Sequence, residues 1–227
     1  MSEALELFRE NVRRFVTQQV QPHYEQWERD EIVPREIWHR LGEQGLLCVD
    51  IPEAYGGPGA DFRFSMVILE EFSRGNCGGL GGPMAVHSDI VAHYLLNNGS
   101  EAQKQQYLPR MVSGECVGAV AMTEPGAGSD LQGLRTTARR EGGDYVINGS
   151  KTFITNGQHC DMVIVVARTN TEVPGSRGTS LFIVDCDTPG FQRGRNLEKI
   201  GLHARDTSEL FFEDVRVPGS AILGELD

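Results

Sequence analysis

The chain has 227 residues, a formal net charge of −11 and 39% hydrophobic residues. That length holds one large domain or two small ones, and the composition is that of an ordinary globular protein. The acidic balance argues against nucleic acid and anionic membrane as partners, since both want a basic surface. It leaves room for an anionic ligand held in a local basic or N–H-rich pocket. The five cysteines, Cys48, Cys77, Cys116, Cys160 and Cys186, are odd in number and scattered, which suits reduced thiols. Met1-Ser2-Glu3-Ala4 shows no basic or apolar signal region, and no apolar run approaches membrane-spanning length. A bacterial cytoplasm and a processed mitochondrial matrix form both fit.

Residues 2–20 read as an amphipathic helix, with Leu5, Phe8, Val12, Phe15 and Val16 at helical spacing and Pro22 after its end. Pro34 suits the first turn of a second helix, with Ile37, Trp38 and Leu41 on one face and Gly42 or Gly45 as its stop. Gly56-Gly57-Pro58-Gly59 is a loop. A third helix carries Met66, Val67, Leu69, Glu70 and Phe72. A glycine-rich break covers 75–82. Val86, Ile90, Val91, Tyr94 and Leu95 define another helix, ended by Asn97-Asn98-Gly99. Ser100 and Gln103 then make a capping box for one more.

From Cys116 the period changes. Val117 to Met122 reads as a buried strand, and Thr136–Arg140 with Tyr145–Ile147 as a hairpin. Asn148-Gly149 reads as another turn. Further strands are expected at Met162–Ala167, Ser180–Asp185, Phe191–Arg193 and Glu209–Val215, the last with solvated carboxylates. The expected fold is α+β and multidomain: an all-α helical N-terminal domain over 1–115, then a small antiparallel β-barrel or sandwich over 116–227, with the boundary near Gly114.

The chain is organised around Ala121-Met122-Thr123-Glu124-Pro125-Gly126-Ala127-Gly128-Ser129-Asp130. A strand here opens into a loop whose glycines let a ligand approach the backbone and whose hydroxyls both donate and accept hydrogen bonds. No Gly-Lys-Ser/Thr comes after it, so it is not a Walker A loop. The third glycine of a Rossmann fingerprint is displaced to Gly133, and Thr136 to Arg140 beyond it read as extended rather than helical. A cradle for a flat heterocycle or phosphate and a plain strand-to-turn corner both remain open. By pattern alone Phe153 and Ile154 read as core residues, and Thr155-Asn156-Gly157 as a turn.

This decamer resembles the first signature of the acyl-CoA dehydrogenase family. Two more segments resemble that family at matching separations: Asn148-Gly149-Ser150-Lys151-Thr152-Phe153-Ile154-Thr155-Asn156-Gly157, and Asp206 through Pro218. The resemblance spans nearly the whole chain. It is nearest to the long-chain branch, partly because Phe153 stands where most members carry tryptophan. It implies FAD as cofactor, an acyl-CoA substrate, an electron-transferring flavoprotein as acceptor, and a homotetramer or homodimer for the whole protein, with no nucleic acid and no membrane insertion. It further implies that Val120, Ala121, Met122, Thr123, Gly128 and Ser129 line the flavin. Ser129 would also touch the acyl-CoA, and Phe153, Ile154 and Thr155 would flank the ring.

The family's base lies in a C-terminal four-helix bundle, for which the resemblance finds no residues here. No catalytic residue is therefore expected in this chain, and FAD should bind to it weakly. Glu124 is not taken as the base. His159-Cys160-Asp161, read as lying on a strand, would alternate faces and could not form a relay. His87 and His93, six apart on a helix, would point apart and are poor joint metal ligands. The alternative to an enzyme fragment is a non-catalytic flavin- or acyl-CoA-binding module, or one subunit of a split flavoprotein.

Overall fold

The computed structural model describes residues 2–173 and 175–226. The first helix, α1 (Glu3–Phe15), is capped by Ser2, whose hydroxyl accepts from the Leu5 N–H. Glutamates in its first turn and arginines in its last complement the helix dipole. Pro22 does not follow a helix end. The chain passes through a π-turn (Val16–Val20) into α2 (Gln21–Asp30), with Pro22 in its first turn. There a missing N–H costs nothing. Helix α3 (Glu36–Glu43) buries Ile37, Trp38 and Leu41 as expected; Gly42 lies inside it. Helix α4 (Phe62–Arg74) packs on α1, and its buried Glu71 accepts from Arg13 Nε at 2.8 Å and Arg9 Nη1 at 3.1 Å.

The expected glycine-rich break contains a helix, α5 (Gly78–Ala85). Packing overrides propensity there. A Cβ on Gly79 would stand 2.4 Å from Tyr24 Oη, and one on Gly81 would stand 3.2 Å from Phe72 Cβ. A second π-turn (Val86–Val91) leads to α6 (Ala92–Asn98), and α7 (Glu101–Val112) carries the expected capping box of Ser100 and Gln103.

The strands are β1 (Gly118–Ala121), β2 (Thr137–Glu141), β3 (Asp144–Thr155), β4 (Met162–Arg168), β5 (Thr179–Asp185), β6 (Phe191–Asn196), β7 (Thr207–Pro218) and β8 (Ile222–Leu223). They form one sheet in the order β6-β7-β3-β2-β4-β5-β8, with β1 added on β4. The sheet is mostly antiparallel, but β1 and β2 both run parallel to β4. Asn148-Gly149 is no hairpin turn. It lies within β3 at a register shift against β7. Gly149 has φ +154, and a Cβ there would lie 2.4 Å from Thr136 Oγ1. This local close approach produced the turn-like signal.

β4 is apolar from Met162 to Ala167 because both of its faces are covered. Met162 and Ile164 join the core built by the helices, while Val163, Val165 and Ala167 join the sheet's own core with Phe182, Leu210 and Phe212. The helical core therefore continues into the sheet through Val117, just before β1, and Met162, at the start of β4.

His87 pins this junction. The fully buried ring accepts from the Gly118 N–H at Nδ1 (3.1 Å) and faces the Met111 carbonyl with Nε2 (3.0 Å). That pattern needs the neutral tautomer carrying its proton on Nε2. Burial lowers the pKa from 6.5 to about 4. Between those values the unfolded chain binds a proton that the folded chain refuses, so stability is full above pH 6.5 and falls as the pH drops towards 4. At 1.36 kcal/mol per unit the loss is about 3 kcal/mol. Denaturant titrations across this window should show His87→Gln with a shallower pH dependence, by about one proton, than the parent. Identical slopes would dismiss the role of His87.

Candidate functional site

β1 pairs with β4 along one edge only, and no described strand pairs with the other. Its backbone groups alternate between the two sides. Val117 O faces β4, accepting from Asp161 N, while the Gly118 amide groups bond His87 Nδ1 and Asn156 Nδ2 on the open side. By the same alternation the Val120 amide groups and the Met122 N–H face the open edge. Met122 O on that edge accepts from Lys151 Nζ at 3.0 Å.

Lys151 is the surprise of the site. Its side chain is fully buried and lies 2.9 Å from Glu124 Oε1, itself 5% exposed. The Glu124 carboxylate also accepts from the Arg135 N–H (2.7 Å) and the Thr136 N–H (3.0 Å). Burial alone would raise its pKa. The bonds from Thr136, Arg135 and Lys151 outweigh that and hold it below the ordinary carboxylate value. Burial lowers the pKa of Lys151 against the pull of Glu124. Glu124 is thus a tether for the loop, consistent with its not being taken as a base. Sequence reasoning missed Lys151. Its signal was a lysine inside an otherwise half-apolar strand, two residues before Phe153.

The loop held by Glu124 presents Gly126, Gly128 and Ser129 on the surface. A Cβ on Gly126 or Gly128 would meet nothing within 4 Å, so no packing inside the chain demands glycine there. Thr123 O accepts from the Thr152 N–H at 2.9 Å, which brings the loop's start against β3. Ala121 and Ile154 are core residues and can meet a ligand only through their backbone. Thr155 is buried, and its Oγ1 accepts from Arg205 Nη2 at 2.6 Å.

Phe153 is not the core residue its pattern suggested. It is 66% exposed, with Thr152 and Ile154 buried on either side. It sits in a register shift between β3 and β7, with φ +58. Left-handed backbone costs a residue with a Cβ about 1–2 kcal/mol. The bulge turns the ring out to solvent, one residue after Thr152, whose N–H bonds Thr123 O at the start of the glycine loop.

His159, Cys160 and Asp161 lie in a turn before β4, not on a strand. They still form no relay. His159 Nε2 is 2.8 Å from Val33 O, and Asp161 Oδ2 accepts from Arg35 Nη2 and the Val117 N–H, both at 2.7 Å. His93 pairs with Asp50, whereas His87 bonds Met111 O and the Gly118 N–H, so the two share no partner. Among the described residues no group of three metal-ligating side chains comes together. No described helix is long and apolar enough to cross a membrane.

The model of the acyl-CoA dehydrogenase N-terminal domain matches residues 2–115, and that of the acyl-CoA dehydrogenase middle domain matches residues 119–215. The chain is 52% identical over 221 residues to long-chain specific acyl-CoA dehydrogenase, mitochondrial, of Sus scrofa, an alignment covering 97% of this chain and 51% of that protein. The crystal structure of an acyl-CoA dehydrogenase from Geobacillus kaustophilus superposes with a TM-score of 0.97 at 48% identity, over 100% of this chain and 59% of that one. A glutaryl-CoA dehydrogenase from Mycobacterium smegmatis in complex with FADH2 superposes with a TM-score of 0.91 at 33% identity, over 99% of this chain and 56% of that one. The chain belongs to the acyl-CoA dehydrogenase family. It spans about half the length of the curated relatives it matches.

The buried pair gives a direct test. Lys151→Met leaves Glu124 charged and buried, and should lose roughly 3–5 kcal/mol in denaturant unfolding. Adding Glu124→Gln to Lys151→Met should recover part of that loss, because the stranded charge is gone. Equal losses for the single and double variants would mean the charge pair is not what holds the loop.

Proposed function

We propose that this chain is the flavin- and acyl-CoA-facing part of an FAD-dependent acyl-CoA dehydrogenase. The whole enzyme would convert an acyl-CoA thioester to the trans-2-enoyl-CoA. The observation that carries the reading is Phe153: an aromatic ring turned to solvent on a left-handed backbone, in a strand whose preceding residue bonds the start of a loop with two unfilled glycines beyond an unpaired strand edge. Nothing in the chain's own packing asks for that combination. A flat heteroaromatic ligand with an imide edge matches it. The solved relative in complex with FADH2 supports the choice of flavin.

When bound, FAD supplies the hydride acceptor at its N5. The Val120 amide groups and the Met122 N–H would meet the imide edge of the ring. Thr123 and Thr155 would offer hydroxyls, with the oxygen of Thr155 fixed by Arg205. Ala121 and Ile154 would line the ring by their backbone, and Phe153 would pack against it. Gly128 and Ser129 would approach the pyrophosphate, and Ser129 the acyl-CoA. None of these residues is a base, and Glu124 is committed to Lys151 and two backbone N–H groups. The proton would be taken by a group outside these residues.

The reading divides the chain into a helical domain over 1–115 and a β domain over 116–227. It gives the whole protein an electron-transferring flavoprotein as acceptor, a homotetrameric or homodimeric state, and a place in a bacterial cytoplasm or mitochondrial matrix. The relatives of the long-chain branch support a long-chain substrate.

Adding FAD to the purified chain should perturb the flavin absorbance and quench its fluorescence, and desalting should strip it. Phe153→Ala should weaken binding roughly tenfold, about 1.4 kcal/mol of ring stacking. No perturbation at saturating FAD would sink the flavin reading. Stoichiometric FAD surviving desalting would refute only the weak-binding expectation.

A further inference from the structure

We propose that Cys160 and Cys186 form a reversible disulfide, a peroxide-oxidisable pair at the end of the β4–β5 hairpin. The proposal rests on geometry alone and is independent of the flavin reading. Cys186 directs its S–H at Cys160 Sγ across 3.4 Å. Both belong to the sheet's core, and both are free thiols. Their approach is built into the register. Met162 pairs with Asp185, and one step further the Cys186 N–H donates to Asp161 O at 2.8 Å. Cys160 stands diagonally across from Cys186 at the hairpin's open end. Cys160 is held at both backbone groups: its N–H donates to Asn156 O at 2.7 Å, and its carbonyl accepts from Arg193 Nη2 at 2.6 Å. From 3.4 Å the sulfurs have little more than an ångström to close to reach the S–S bond length of about 2.05 Å.

Cys186 is also reachable, while Cys160 is fully buried behind it. Cys186 lines an open cavity of about 400 Å³ shared with Arg110, Arg193, Asp161 and Asp187. Cys116 lines the same cavity but belongs to the helical core. The S–H···S bond to Cys160 and burial push the Cys186 thiol pKa up, with Arg193 pulling the other way. Cys186 therefore rests as a thiol, and its oxidation is slower than that of an exposed thiolate.

The oxidant is a hydroperoxide. Cys186 turns its S–H from Cys160 to cavity water, gives up its proton there, and its sulfur attacks the peroxide. The O–O bond breaks, an alcohol or water leaves, and a sulfenic acid remains. Cys160 then attacks that sulfur. Its proton departs with the hydroxyl as water, and the S–S bond forms. Two electrons pass from the dithiol to the peroxide, and a dithiol reductant returns them. The bond would tie the turn over 156–161 to the end of β5. Asn156 at the head of that turn donates to both Pro83 O and Gly118 O, so the cross-link reaches the junction of helices and sheet.

The test is to treat the folded chain with hydrogen peroxide, block remaining thiols with an alkylating agent, and map peptides without reduction. The expected product is one cross-linked species joining the Cys160 and Cys186 peptides, two hydrogens lighter, and reversed by dithiothreitol. The oxidised chain should also melt at a higher temperature. In Cys160→Ala the cross-link should vanish, and Cys186 should be trapped by dimedone as a sulfenic acid while Cys116 is not. A folded chain whose five thiols all remain alkylatable at peroxide excess would overturn the proposal. So would a bond from Cys116 to Cys186, or over-oxidation of Cys186 with no cross-link in the parent chain.

Discussion

The contact between Glu124 and Lys151 is the constraint on which the site depends. A buried ion pair is poor evidence for net stability, because desolvating both charges offsets most of their attraction. What this pair supplies is position. One carboxylate gathers the ammonium group of β3 and the two N–H groups that lead into β2, while the same ammonium reaches the first carbonyl beyond β1. Three segments far apart in sequence are thereby held in one register. The loop from Glu124 to Thr136 is closed at both ends by a single side chain. Its middle can stay open and glycine-rich without losing its place.

The same principle acts at the junction of helices and sheet. The apolar core there is continuous, and it sets no direction by itself. Direction comes from a few polar contacts around it. Glu28 accepts from the His203 and Ala204 N–H groups, Arg35 grips Asp161, and Gln103 donates to the carbonyls of Ser220 and Ile222. Each pairs a residue in or capping a helix with an irregular stretch or element end of the sheet half. The α7 capping box thus does double duty, since Gln103 also accepts from the Ser100 N–H.

Most helices and strands were legible because their hydrophobic period survives in the sequence: α1, α4 and α7, and β4, β5 and β7 all fall where the pattern puts them. The failures share one cause. Helix α5, the run of β3 through Gly149, and the continuation of the chain past Val20 into α2 are each decided by a close approach or a local insertion, which propensity cannot see. Glycine reads as a break, yet at Gly79 and Gly81 it marks where two elements come too near for a Cβ. The site was half legible. Motif resemblance picked out the loop and the segment around Phe153, but Lys151 stayed hidden, because a lysine is assumed to be solvated unless a partner is visible.

Phe153 shows why the remainder could not be read from pattern. At φ +58 the backbone favours glycine or asparagine, and at 66% exposure the core gains little from a ring. Both local criteria therefore select against phenylalanine. The residue persists because its neighbours overdetermine its place. Thr152 and Ile154 are buried on either side, and Lys151 just before them is locked to Glu124. Strain held by its surroundings at an exposed aromatic is the signature of a residue chosen for something outside the chain. The ion pair and the strained ring are thus two parts of one device: the first makes the backbone rigid enough to carry the second, and the second gives the rigid backbone a surface to present.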